Sequence, residues 1–276
     1  MIRALKLEWL KIRNYRTFWV LVSMYCLALM IICFGGMFLL EYLKSLGADF
    51  EGLDPTILPI YDFPDIWQNM TYLGTFLKIL LAFIVIISVN NDQSYNTLRQ
   101  NIIDGISKKE YILGKLLLIG SLALVSTLFL FISGLINGLM YSHVSGVTYI
   151  FDELEFLFAY WYDIVIFCTL AMLLSLVIKK AGFVIIALTL YTLMFEPIAG
   201  VIMTEAPFMK NGIWPYLAPF LPIHALNDMI PIPFPKYMFQ EIVDNIPTKA
   251  LVISTGWFTI YLVGIHFILT RRDLKA

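Results

Sequence analysis

Charge is what this sequence has least of. Only 14% of its 276 residues are Asp, Glu, Lys or Arg, against ~25% in soluble domains, while 60% are hydrophobic and the mean hydropathy is +0.81. A soluble fold of this size could not coat so apolar a chain with polar groups. Disorder needs the opposite composition. Cysteine is scarce as well. Cys26, Cys33 and Cys168 all stand in apolar stretches, which excludes a disulfide framework or a zinc site and leaves them as small apolar fillers. A formal net charge of −1 gives no pull toward nucleic acid.

Two catalytic classes are missing. A phosphate-cradling P-loop needs G-x-x-x-x-G-K-[ST]. The Gly114-Lys115 pair is followed by Leu116, and Lys109 stands where the earlier glycine belongs, so the sequence predicts no ATP hydrolysis by this chain. Intramembrane serine proteolysis needs Ser and His at one depth. Ser133-Gly134 is preceded by Phe131-Ile132 rather than by a glycine at the required place, and Ser133 and His266 are expected to differ in depth by roughly 20 Å at the helical rise. No H-E-x-x-H is present.

What the chain does have is long apolar runs. A helix needs ~20 apolar residues to cross ~30 Å of hydrocarbon, and the runs 18–40, 72–89, 116–140, 156–178, 183–203 and 251–269 fit. The first is too long for a signal-peptide core and is expected to remain as a span. The sequence thus predicts an all-α integral membrane protein in one domain, 1–276, with six transmembrane helices. Basic residues orient it. Arg3, Lys6, Lys11, Arg13 and Arg16 precede the first span; Arg99, Lys108, Lys109 and Lys115 lie in the second connection; Lys179 and Lys180 lie in the fourth; Arg271, Arg272 and Lys275 follow the last span. The first and third connections carry Glu41, Asp49, Glu51, Asp54, Asp62, Asp65, Asp152, Glu153 and Glu155. By the positive-inside rule both termini are expected to be cytoplasmic in the cell (inner) membrane.

Residues 1–17 place Ile2, Leu5, Trp9 and Ile12 at helical spacing with the cations mostly off that stripe. This predicts either a plain basic flank or an interfacial elbow helix on the lipid surface. The second connection, 90–115, is far longer than a turn requires. Leu98, Ile102, Ile103, Ile106, Tyr111 and Ile112 interrupt its polar run, and Gly105 divides it, as expected of two short helices meeting at a bend.

These residues carry a resemblance. Asp92, Thr97-Leu98-Arg99, Gly105-Ile106-Ser107-Lys108 and Gly114-Lys115 resemble the pattern of type-2 ABC-transporter permeases: an acidic residue, Gly-Thr-Leu, Pro-hydrophobic-Ser-Arg, then Gly-Lys opening span three. Asn96, Gly105 and Lys108 depart from it at the glycine, proline and arginine positions. The resemblance implies an amino-terminal elbow helix and coupling helices between spans two and three that dock on a separate ATPase. Asp104, Gly105, Ile106, Ser107, Lys108, Lys109, Glu110 and Tyr111 would form the ATPase contact. It further implies the membrane permease subunit of an ATP-driven exporter working by alternating access. Such a subunit has two ATPase copies as partners, which bind the ATP and Mg, and a second permease copy or paralogue. An ion-gradient-driven secondary transporter and a non-transporting scaffold or assembly factor are the other readings of the composition. The first would be expected to show internal repeats, which spans 1–3 and 4–6 do not display.

Ionisable groups within the spans are costly and normally face a bundle interior or water. Glu196, followed by Pro197 and Gly200, predicts a bend or break in span five. It is either a structural kink or part of the pathway or dimer seam, and the resemblance implies the latter because spans two and five line the central cavity in that family. Lys78 is read either as a pathway residue or as snorkelling to the outer interface. Asn137 and Asp163 are expected near hydrated span ends, and Phe76, Phe83 and Phe195 could offer an apolar lining. The outer connection 204–250 holds eight of the twelve prolines, interleaved with aromatic rings. It predicts short helices or a re-entrant element over the outer mouth.

Overall fold

The structure, a computed structural model, describes residues 2–46, 60–95, 97, 100, 103, 105–144, 146–233 and 245–271. The expectations placed on Asp104, Leu98, Arg99, Ile102, Asp49, Glu51, Asp54, Arg272 and Lys275 lie outside the described residues.

Among the described residues the chain is helical, without a strand. The helices are α1 (Ile2–Arg13), α2 (Arg16–Ser45), α3 (Ile66–Thr75), α4 (Lys78–Ser94), α5 (Lys108–Tyr141), α6 (Val147–Phe151), α7 (Glu155–Val177), α8 (Ala181–Leu190), α9 (Glu196–Glu205), α10 (Trp214–Leu217), α11 (Pro222–Asn227) and α12 (Thr248–Arg271). Among the described residues five helical stretches are long and apolar enough to cross a membrane: α2, α5, α6–α7, α8–α9 and α12. The pair α3–α4, bent by 44°, makes a sixth when taken as one broken span. The order of spans follows the apolar runs of the sequence.

The bent pair α3–α4, numbered span two after its apolar run, breaks at Phe76-Leu77, where amides turn to carbonyls three residues back: Phe76 N–H to Leu73 O at 3.4 Å and Leu77 N–H to Gly74 O at 3.0 Å. Gly74 is needed there, because a Cβ would collide with the Tyr160 ring and Leu130. Of the bend or break expected near Glu196, span five shows no break: it runs on from α8 to α9 through one π-helical turn, Tyr191–Phe195, directly before Glu196. The ring of Pro197 would press on the carbonyl of Leu193 in an ordinary α-turn; that carbonyl lies within the wider π turn.

The end of the bundle that gathers α1, the start of α5 and the end of α12 is called basal here. Lys108 Nζ donates to the Thr270 carbonyl there at 3.3 Å. At the opposite, distal end, Asp62 accepts from the His143 amide at 2.7 Å and Gln68 donates to the Pro231 carbonyl at 3.0 Å. Between α1 and α2 the chain bends at Asn14-Tyr15. The Trp19 indole donates to the Arg13 carbonyl at 2.7 Å, satisfying one of the carbonyls that a helix end leaves bare. Trp9 packs edge-on against Phe18 and Trp19, which fixes the angle.

Helix α7 is the hub, in contact with α3, α4, α5 and α12. In its span 67% of the most apolar window is buried, against 22% in α2 and in α8–α9. Lipid tails are as apolar as leucine, so helices in hydrocarbon are held by close packing and interhelical hydrogen bonds rather than by transfer of apolar surface from water. Both devices are present. Gly134 and Gly138 of α5 receive the rings of Trp67 and Phe63, which a Cβ would displace. Tyr160 of α7 shares hydrogen bonds with Tyr25 of α2 at 2.9 Å and Ser126 of α5 at 2.8 Å, and Tyr25 and Ser126 also bond to each other. Spans one, three and four are thereby tied at one buried point.

Candidate functional site

Among the described residues two places combine buried charge with a position where elements meet. The first is basal. Glu8 of α1, Asp92 of α4 and Lys115 of α5 are each under 5% exposed. With Lys11 they form a closed ring of alternating charge. Lys11 Nζ lies 2.8 Å from Glu8 and 3.2 Å from Asp92, and Lys115 Nζ lies 2.5 Å from Glu8 and 2.6 Å from Asp92. Lys115 also donates to Ser88 at 2.8 Å. The ring is neutral overall, so each buried ion is compensated, the condition under which burial of charge is tolerated. Burial works against the charge on Lys11, but Asp92 and Glu8 outweigh it and hold its pKa above the usual lysine value of 10.5. The Tyr111 ring lies 6.0 Å from the Lys11 ammonium and 5.6 Å from that of Lys115, within cation–π range.

The residues singled out before span three fall into distinct environments. Gly105 is an exposed turn with φ +89°, a conformation that L side chains rarely adopt, so glycine is required where the resembled pattern has proline. Ile106 is half-buried. Ser107 and Glu110 form a capping box that starts α5: the Ser107 amide donates to Glu110 Oε2 at 2.8 Å and the Glu110 amide to Ser107 Oγ at 3.2 Å. Lys108 is half-buried and Lys109 exposed. Tyr111 is only 3% exposed and turned toward the charge ring, so its ring faces inward. Asp104 lies outside the described residues.

The second place is distal, a cavity of about 820 Å³ bounded by the break in span two, the π turn of span five, the short distal helices and the start of α12. Lys78, Phe76 and Pro197 are on its wall. Phe83 and Glu196 are not. Phe83 packs against the core, and the buried Glu196 accepts the backbone amides of Ile223 at 2.5 Å and His224 at 2.9 Å. Its carboxylate thus caps the amino end of α11 and joins span five to the distal helices, the favourable placement of an anion at a helix start.

Lys78 neither snorkels nor stands alone. Its ammonium donates to Asp163 of α7 at 2.8 and 3.1 Å, with the pair almost wholly buried. Asp163, expected at a hydrated span end, is 0% exposed. A pairing was readable in principle, because opposite charges in different spans are expected to seek each other. The remaining polar wall, Gln68, Thr192, His224, Asp228 and Lys249, carries no local signature. Burial pushes the Asp228 carboxyl above the usual carboxylate range, opposed by His224 and Lys249. Glu8 and Lys11 went unrecognised as partners of Asp92 and Lys115 because their pairing depends on how α1 folds back.

The sequence matches the family model described as ABC-2 family transporter protein over residues 3–274. No curated protein matches it. A match over nearly the whole chain, with five or six membrane-length helices, is decisive: the chain belongs to the ABC-2 transporter family and is the multi-pass membrane permease component of an ABC transporter, the part that associates with an ABC ATPase.

Proposed function

We propose that this permease is the membrane half of an ATP-driven exporter, with hydrolysis in two copies of a separate ATPase rocking it between two access states. The observation that carries this reading is the mechanical continuity at the basal end. The capping box at Ser107 starts α5 directly after the Gly105 bend. About two turns further on, Lys115 is locked to Glu8 of α1 and Asp92 of α4. A displacement imposed on residues 105–111 is therefore delivered to spans two and three and to α1 together. A switch needs a partner whose contacts differ between two states, and the closing and opening of an ATPase pair supplies that difference.

In this reading the basal end is cytoplasmic in the cell membrane, as the basic residues around it favour, and α1 is the elbow helix. This chain binds no nucleotide; ATP and Mg belong to the ATPase. A second permease copy or paralogue supplies the other wall of the pathway, since alternating access needs one body to move against another.

The test is recovery of the full-length chain with its ATPase from native membranes, combined with cross-linking of Ile106→Cys. A P-loop ATPase with vanadate-sensitive hydrolysis, cross-linked through position 106, is expected. A fully active complex with position 106 unreactive toward the ATPase overturns the docking assignment, and transport without any ATPase overturns the function.

A further inference from the structure

Helix α1 sorts its charges by face. Its one acid, Glu8, is buried against Lys11 and Lys115 on the side that packs on α5. Lys6, Trp9, Leu10 and Arg13 stand at the three- and four-residue spacing that gathers side chains on one helix face. All four are exposed, Trp9 at 42% and Leu10 at 49%. Across the bend, Arg16, Val20, Met24 and Leu27 line up at the same spacing on α2 and are exposed as well. Among the described residues no carboxylate pairs with Lys6, Arg13 or Arg16.

Rings fix the depth of this surface. Trp9 packs edge-on against Phe18 at 6.0 Å and Trp19 at 6.4 Å, and both stand in the first turn of α2, where span one begins. Trp9 is therefore level with a span end, the zone in which tryptophan is enriched. The cations border the surface at that level, and Val20, Met24 and Leu27 carry it about three turns into the span.

That pattern decides among occupants. A soluble protein has no access to an apolar stripe three turns deep in a span. A second copy of this chain would bring the same unpaired cations to the contact, and like charges set against each other are costly. A lipid with a negative head and an apolar tail matches both parts at once.

We propose that the free face of α1 and the start of span one hold an anionic phospholipid, its head group met by Lys6, Arg13 and Arg16 and an acyl chain lying along Val20, Met24 and Leu27. The proposal rests on the reading of α1 as an elbow helix and deepens it by naming the lipid class. Each Lys or Arg close to an anionic surface strengthens attachment about fivefold. On its other side α1 supplies Glu8 and Lys11 to the basal ring, so the lipid seats the same helix that the ring fastens.

The experiment reconstitutes the purified full-length chain in vesicles of phosphatidylcholine and phosphatidylglycerol, with the acyl chains of one lipid brominated at a time. Quenching of Trp9 is read as the difference between the wild type and Trp9→Phe. At equal mole fractions phosphatidylglycerol is expected to occupy the site at least about threefold more than phosphatidylcholine. The variant with Lys6→Gln, Arg13→Gln and Arg16→Gln together is expected to bring that ratio to about one, with its thermal transition kept because all three side chains are exposed. Should it fail to fold, Arg13→Gln alone decides, and the ratio is expected to fall about twofold. Equal quenching by the two lipids in the wild type, or an unchanged ratio in a folded variant, overturns the lipid class. No quenching of Trp9 by either lipid overturns the elbow reading with it. No ATPase enters the measurement, so none of these results bears on the ATPase complex.

Discussion

Asp92 at the basal end of span two and Lys115 near the start of span three face each other at 2.6 Å across the connection that separates them in sequence. They are the acidic residue and the lysine that bracket the pattern of the resembled permeases, and the structure makes them one contact. Glu8 and Lys11 complete the ring, so the same contact also fastens α1.

Breaking that ring from one side strands a buried charge. Lys115→Met is expected to destabilise the protein by about 3–5 kcal/mol, read as a lowered thermal transition in detergent. Asp92→Leu combined with Lys115→Met leaves the Glu8–Lys11 pair and is expected to recover most of the loss. A double variant no more stable than the single one would show that the ring acts through something other than charge compensation.

The same logic applies within the spans. Lys78→Met leaves the fully buried Asp163 unpaired and is expected to cost about 3–5 kcal/mol. Asp163→Leu in the same chain is expected to restore the thermal transition, because two apolar side chains of similar volume replace a buried pair at little cost. Hydrogen exchange along α4 and α7 locates the effect.

Glu196→Ala leaves the buried amide of Ile223, together with that of His224, without its acceptor, an expected cost of about 1–3 kcal/mol. Glu196→Gln keeps an acceptor but loses its charge and is expected to fall between the wild type and Glu196→Ala. Faster hydrogen exchange at residues 223–230, with the spans unchanged, is the expected signature. Loss confined to α8 instead would assign Glu196 to the π turn rather than to the distal helices.

Lys11 makes the seating of α1 sensitive to loss at alkaline pH. Its pKa in the fold lies above 10.5, so the folded state holds the proton more tightly than the unfolded chain does. The stability this contributes is fully present below pH 10.5 and is lost as pH rises through the higher folded value. Trp9 reports it, since its ring packs on Phe18 and Trp19. Its fluorescence is expected to change over that alkaline window in the wild type and not in Lys11→Met.

Ile106→Asp and Lys108→Glu are expected to uncouple transport from ATP hydrolysis in the reconstituted complex while leaving the thermal transition within about 0.5 kcal/mol, as for exposed or half-exposed positions away from the core. Coupled transport at full rate in both variants would remove the connection 90–115 from the coupling path.

That the chain is helical, with five or six helices long and apolar enough to cross a membrane among the described residues, was legible in the apolar runs because crossing hydrocarbon imposes a length that composition alone must meet. The inward turn of Tyr111 was not, since a ring beside lysines and a glutamate reads equally well as a docking contact until α1 is seen to bring Glu8 and Lys11 against it. Nor was the conduct of span five. Pro197 announces that an ordinary α-turn cannot continue, but the π turn at Tyr191–Phe195 absorbs the missing donor within a continuous helix.

By itself the sequence determined that this chain is a helical, multi-pass membrane protein and which of its segments carry the basic residues, because hydropathy and charge are properties of residues taken in order. Only the tertiary structure decided which charge answers which. Lys78 with Asp163, and Glu8 and Lys11 with Asp92 and Lys115, meet across helices far apart in the chain, and pairing in a water-poor interior depends on distance in space.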